Sequence, residues 1–122
     1  MKQRGWGRIV NQSSTSAYAA TPRSLHYSMT KAALITMTKT LAKELGPHGI
    51  TVNAIAPGVI DTDATRRVVP ADVIEAAVGM TALGRIGRPD DLTPLLAFLC
   101  SDSAGYITGQ TIVVDGGVTM PG

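Results

Sequence analysis

Residues 24–45 carry Ala33, Met37, Leu41 and Leu45 at four-residue intervals, Gly46-Pro47 closes the segment, and a β-branched run at 50–56 (ITVNAIA) follows directly and breaks at Pro57-Gly58. Four-residue spacing puts the four apolar side chains on one helical stripe, and glycine followed by proline is a helix stop. Alternating β-branched and small residues ahead of a Pro-Gly turn read as a strand. A strand is also expected before the helix, at residues 7–14 (GRIVNQSS), where Ile9 and Val10 follow a turn-forming glycine and run into a polar loop ending near Pro22. Strand, helix, strand in that order requires a parallel crossover, so the fold class is α/β.

The remainder extends the same alternation. Residues 61–80 start polar and become weakly helical, with Val69-Pro70 as a break, which suits a flap over a site. Leu92, Leu95, Leu96 and Leu99 fall at i, i+3, i+4 and i+7 and predict a second core-facing helix with Pro89 at its first position. Pro94 is the exception, because inside that helix it removes a backbone bond and costs about 3 kcal/mol. Residues 111–114 (TIVV) form a third strand closed by Asp115-Gly116-Gly117. Three strands and two helices make half of a doubly wound parallel sheet, read over residues 1–122 as a single domain, and something must cover the outer edge of its first strand.

Composition excludes several functions. Eleven Lys plus Arg against nine Asp plus Glu are scattered, so neither a nucleic-acid nor a membrane-surface footprint is expected. One cysteine, Cys100, rules out an internal disulfide, and two isolated histidines offer no metal spacing. The opening residues resemble no signal peptide and no run of 18 apolar residues occurs, which gives a cytoplasmic reading. Cys100, ending an apolar helix, is expected to be a small core residue.

The chemistry concentrates on the first helix. Tyr27 and Lys31, four residues apart, project from one face. A phenol titrating near ~10 is a poor proton donor at neutral pH, and a neighbouring ammonium stabilises its phenolate, giving a poised general acid. Ser14 follows the first strand, where open α/β sheets place ligands, and can hold a carbonyl oxygen. Pro57, Gly58, Ile60 and Thr62 leave the end of the next strand and offer backbone groups and a hydroxyl on the same rim, suited to a flat amide-bearing ring and a phosphate. Ser13, Thr15, Asn11 and Asn53 read as structural hydrogen-bonders. His26 beside Tyr27 does not make a hydrolase triad, because there is no Gly-x-Ser-x-Gly elbow.

These residues resemble the C-terminal half of the classical short-chain dehydrogenases/reductases, with the closest likeness to 3-oxoacyl-[acyl-carrier-protein] reductases, and the resemblance spans nearly the whole chain. It rests on Ser14 followed thirteen residues later by the Tyr27-x-x-x-Lys31 pair, on Pro57-Gly58-x-x-x-Thr62, and on the stretch from Ile107-Thr108-Gly109-Gln110 to Val114-Asp115-Gly116-Gly117. It implies a Rossmann-type doubly wound sheet and NAD or NADP as cofactor. Tyr27 would be the proton donor, Lys31 the residue that activates it and holds the nicotinamide ribose, and Ser14 the residue that orients a small carbonyl or alcohol substrate. The Ile60 backbone would meet the carboxamide and Thr62 the pyrophosphate. A homo-oligomer, dimer or tetramer, is implied, with the Met37 and Leu41 stripe serving both core and subunit contact. The family's glycine-rich turn and its Asn-Asn-Ala-Gly strand have no counterpart in this sequence, which reads Met1 as an internal methionine. His48 stands where the acyl-carrier reductases tend to carry arginine. The contrasting reading is a catalytically silent fragment that self-associates or complements another chain through its bare sheet edge.

Overall fold

A computed structural model describes residues 1–19 and 22–120. Its regular elements are β1 (Gly7–Gln12), α1 (Leu25–Leu45), β2 (Ile50–Pro57), α2 (Asp63–Val68), α3 (Ala71–Met80), α4 (Pro89–Leu99) and β3 (Thr111–Val114). The three strands form a parallel sheet in the order β1-β2-β3, with Gly7 opposite Ile50 and Pro57 opposite Val114. Every residue of β2 is buried, as a central strand covered on both faces must be. Ile50 and Val52 pack under Ala42, Leu41 and Leu45 of α1, while Ile55 turns to the other face and packs on Leu95, Leu96 and Leu99 of α4. The two-residue alternation of β2 thus divides its side chains between two helical layers. Asn53 is fully buried in this strand and is satisfied by backbone alone: its amide donates to the Ile107 carbonyl at 2.8 Å and its oxygen accepts from the Gln110 N–H at 3.1 Å.

Two expectations change, the face of α1 and the place of Cys100. The apolar stripe of α1 is not all core: Thr38 and Ala42 are the buried residues, Leu41 and Leu45 pack beside them, and Ala33 and Met37 are exposed. At 3.6 residues per turn a strict four-residue repeat drifts, so Met37 and Ala33 lie about 100° and 140° around the axis from Thr38. α1 does end at Leu45 with Gly46 as its cap, as Gly46-Pro47 predicts, while Gly46 itself is helical at φ −53 and opens a short 3-10 turn whose left-handed end is Gly49 at φ 69, where a Cβ would collide with the Gly5 carbonyl. Cys100 follows α4 on the exposed side and is not a core residue. Pro94 lies inside α4, which runs through it, and Pro89 starts that helix as expected. The chain breaks at Val69-Pro70 between α2 and α3. The loop expected up to Pro22 includes residues 20 and 21, which lie outside the described residues.

Candidate active site

The carboxyl end of β1 and the first turns of α1 are locked together through one residue. Lys31 donates from Nζ to the Gln12 carbonyl at 3.0 Å, and its own carbonyl accepts the Ser13 hydroxyl at 2.8 Å. Ser13 is buried, and its N–H donates to the Ile55 carbonyl at 2.8 Å, extending the strand pairing one step beyond Gln12. The dipeptide Gln12-Ser13 therefore grips Lys31 at both its side chain and its backbone. Two turns further along α1, Asn11 Nδ2 donates to Thr38 Oγ1 at 2.9 Å and that hydroxyl donates to the Leu34 carbonyl at 2.7 Å, a second rivet between the same strand and helix.

Tyr27 sits one turn before Lys31, with the ammonium 5.5 Å from its ring centroid and 44% of its surface exposed. Ser14 adopts extended backbone and caps the turn Thr15–Ala17, its Oγ accepting from the Ser16 N–H at 3.2 Å, and α1 packs against that turn. The structure thus brings Tyr27 and Lys31 into contact and ties Lys31 to the residue immediately before Ser14. Among the described residues no hydrogen bond joins the Ser14 and Tyr27 hydroxyls to each other.

The other expected residues leave the end of β2, the strand paired in parallel with β1. Pro57 ends β2, and the Gly58 N–H donates to the Val114 carbonyl at 3.1 Å. A Cβ on Gly58 would lie 2.6 Å from Asp115 Cβ, so only glycine permits this approach. Ile60 bridges to Gly87, and Thr62 caps α2 by accepting the Thr65 N–H at 3.1 Å. Beside it Arg66 clasps both oxygens of Asp61 at 2.7 and 2.9 Å, and this hydrogen bonding, with the charge of the guanidinium, holds the Asp61 carboxyl below the usual carboxylate range. A cavity of about 420 Å³ lies between Thr15, Gly58 and Val59 on the sheet side and one face of α3 on the other. Sequence reasoning passed over the α3 face and the Lys31 grip. The first had a visible signal, since Val73, Ala76, Ala77 and Met80 stand at i, i+3, i+4 and i+7.

A model of the family described as enoyl-(acyl carrier protein) reductase matches residues 1–119. The chain belongs to the short-chain dehydrogenase/reductase family. It is 50% identical over 117 residues to an uncharacterized oxidoreductase of Mycobacterium tuberculosis, covering 96% of this chain and 46% of that protein. It is 47% identical over 118 residues to the 3-oxoacyl-[acyl-carrier-protein] reductase FabG of Aquifex aeolicus, covering 97% and 47%. Among solved structures, a 3-oxoacyl-[acyl-carrier protein] reductase from Brucella melitensis superposes with a TM-score of 0.92 at 39% identity, over 99% of this chain and 45% of that one. A gluconate 5-dehydrogenase from Burkholderia cenocepacia, solved with NADP and tartrate, gives 0.90 at 34% identity, over 96% and 46%. This short-chain dehydrogenase/reductase chain spans about half the length of the curated relatives it matches. The family's members are NAD(P)-dependent oxidoreductases, and the α/β, Rossmann-like arrangement expected from the sequence is the one observed. Among the described residues no helix is long and apolar enough to cross a membrane, and no cluster of three or more His, Cys, Asp or Glu could hold a metal.

Proposed function

We propose that these residues form the reacting end of an oxidoreductase that moves a hydride between a nicotinamide cofactor, NAD or NADP, and a small carbonyl or alcohol substrate, a 3-oxoacyl compound being the first candidate. The observation that carries this is the double grip on Lys31, which fixes an ammonium beside the Tyr27 ring at the carboxyl end of β1, one residue from Ser14.

The residues present fit the nicotinamide end of such a cofactor. Of the three Lys31 donors one is used by Gln12, leaving two for ribose hydroxyls or the Tyr27 oxygen. Gly58 keeps the strand end free of side chain, Thr62 presents a hydroxyl at the start of α2, and the adjoining cavity of about 420 Å³ falls within the ordinary size of a small-molecule site, roughly 300–1,000 Å³. Bound there, the cofactor would supply or accept the hydride. Ser14 holds the carbonyl oxygen, Tyr27 passes its hydroxyl proton to that oxygen during reduction and takes it back during oxidation, and Lys31 stabilises the phenolate left between the two. The Ile60 backbone would meet the carboxamide.

The exposed apolar side chains Met29 and Met37 of α1, 62% and 42% accessible, support assembly as a homo-oligomer, and the single cysteine suits a cytoplasmic protein. The test is Tyr27→Phe in the intact protein. NAD(P)H-dependent ketone reduction should fall by about 10²–10⁴-fold, the usual contribution of a positioned proton donor, with an unchanged circular dichroism spectrum. Retained turnover in a folded variant refutes the assignment.

A further inference from the structure

The chain reverses sharply where it leaves β3, and one side chain holds the reversal. Asp115 Oδ1 accepts the Gly117 and Val118 N–H groups at 3.0 and 3.2 Å, and its Oδ2 accepts the Thr119 N–H at 2.7 Å. A short acidic side chain can bond the backbone that follows it in this way when residues of positive φ let the N–H groups converge. Gly116 and Gly117 supply that geometry, at φ 67 and 87. The turn is also keyed to its neighbours. The Leu83 N–H donates to the Gly116 carbonyl at 3.2 Å, a Cβ on Gly116 would collide with Thr81, and one on Gly117 would lie 2.9 Å from Ala82 Cβ. On its other side Asp115 approaches Gly58, whose N–H donates to the Val114 carbonyl, so the turn is registered on the end of β2.

The residue that this arrangement presents is Val118. It lines the cavity of about 420 Å³ together with Gly58 and with Thr15, the residue after Ser14, and 44% of its surface is exposed. Its N–H is fixed by the Asp115 carboxylate, yet its side chain belongs to neither apolar cluster of the described residues. Apolar side chains are ordinarily ordered by burial, whereas a ligand pocket is lined by apolar groups that the chain holds in place for a ligand to cover. With both its oxygens engaged by backbone, Asp115 acts on the cavity through Val118.

We propose that Val118 determines specificity by closing against the alkyl part of a carbonyl substrate, and that Asp115 is the residue that positions it. The assignment rests on the oxidoreductase reading above and extends it to the segment after the last strand. Neither residue takes part in the hydride or proton transfer.

The experiment uses the intact protein and two readouts: NAD(P)H-dependent reduction of ethyl 3-oxohexanoate, and calorimetric binding of hexanamide, whose carbonyl accepts no hydride. Val118→Thr keeps the shape and replaces a methyl by a hydroxyl. It should raise KM by at least about threefold and weaken hexanamide by the same factor, with kcat, the urea midpoint and the Kd of NAD(P)H unchanged. Asp115→Asn turns one acceptor oxygen into a donor facing an N–H and should also raise KM by at least about threefold. The deciding measurement is the double-mutant cycle: because Asp115 acts through Val118, Val118→Thr should change KM by less than about 1.5-fold in the Asp115→Asn background. If Asp115→Asn does not fold, Thr119→Pro, which deletes one of the three N–H donors and leaves the carboxylate, takes its place in the cycle. A KM and a hexanamide affinity insensitive to Val118→Thr overturn the specificity assignment, and independent, multiplying effects of the two substitutions overturn the positioning role of Asp115. Turnover that survives Tyr27→Phe removes the reaction reading instead, and a hexanamide affinity that still depends on Val118 then keeps the contact.

Discussion

Removing the Ser13 hydroxyl should damage catalysis more than stability. Ser13→Ala deletes one neutral hydrogen bond of 2.8 Å at a site with 1% exposure. The donor leaves with the mutation and its acceptor, the Lys31 carbonyl, lies within α1, so no unpaired donor remains and the cost should be about 0.5–1.5 kcal/mol. The same bond sets the height of Lys31 over the strand end. The remaining tether from Nζ to Gln12 is a long flexible side chain, and a shift of about 1 Å at a reacting group costs up to about 10²-fold in rate. A tenfold or greater loss of kcat is therefore expected, with the ketone KM changed by less than about twofold, since positioning of the proton donor acts in the transition state.

Thr38→Val is the matched control. It leaves Asn11 Nδ2 in a partly buried site without its partner, which costs about 1–3 kcal/mol, more than Ser13→Ala. Yet Thr38 lies seven residues beyond Lys31, about 10 Å along the axis, and kcat should stay within about twofold. Urea unfolding gives the two stabilities and steady-state kinetics the two rates. If the rate losses follow the stability losses, or if Ser13→Ala keeps wild-type kcat, Ser13 is a loop hydrogen bond and not a positioning residue.

Other outcomes follow from the rest of the structure. Asn53→Ala strands the Ile107 carbonyl and the Gln110 N–H in the segment leading into β3 and should cost about 2–4 kcal/mol in urea unfolding. Gly58→Ala pushes a methyl against Asp115, whose side chain is anchored by three N–H groups, so it should cost about 1–3 kcal/mol and weaken NAD(P)H binding in a fluorescence titration. Asp91 receives two hydrogen bonds from Arg85 and one from the Arg88 N–H, which hold its carboxyl at about 2 against an ordinary 3.8. A depressed folded value contributes stability above the ordinary pKa and loses it as pH falls towards the folded one. The stability difference between wild type and Asp91→Asn should therefore be constant from neutral pH down to the ordinary carboxylate range and shrink below it, and added salt should reduce it throughout. A difference that grows on acidification contradicts the assignment.

What the sequence made legible was whatever local rules decide. The ITVNAIA run ending at Pro57-Gly58 reads as a strand because β-branched and small residues alternate up to a turn that stops them. Asn53 reads as structural because an amide inside a buried strand must find partners. The face of α1 was not legible, because Ala33 and Met37 are apolar enough to join a core and only packing against β2 shows that Thr38 and Ala42 take those places. Cys100 was misplaced for the same reason, since the position after Leu99 turns away from the sheet and composition does not report direction. Ser13 was read as a loop residue, and it is one, but its acceptor is eighteen residues away in the chain and no spacing rule connects them.

That long-range contact also separates two properties of the site. The contacts that hold Lys31 and Ser13 come from β1, β2 and α1. The grip on Lys31 is made by a backbone carbonyl and one buried hydroxyl, so it does not depend on which cofactor or substrate is present. The wall of the cavity beside the strand ends, by contrast, is the exposed face of α3, joined to the sheet by a short helix and a proline break and carrying alanines where a core helix would carry larger groups. Substitutions on α3 should therefore change which carbonyl compound is chosen while leaving the proton-transfer geometry intact, and substitutions at Ser13 should do the reverse. A chain built this way can exchange substrates by altering one amphipathic helix, because the rigid half of its chemistry is anchored elsewhere.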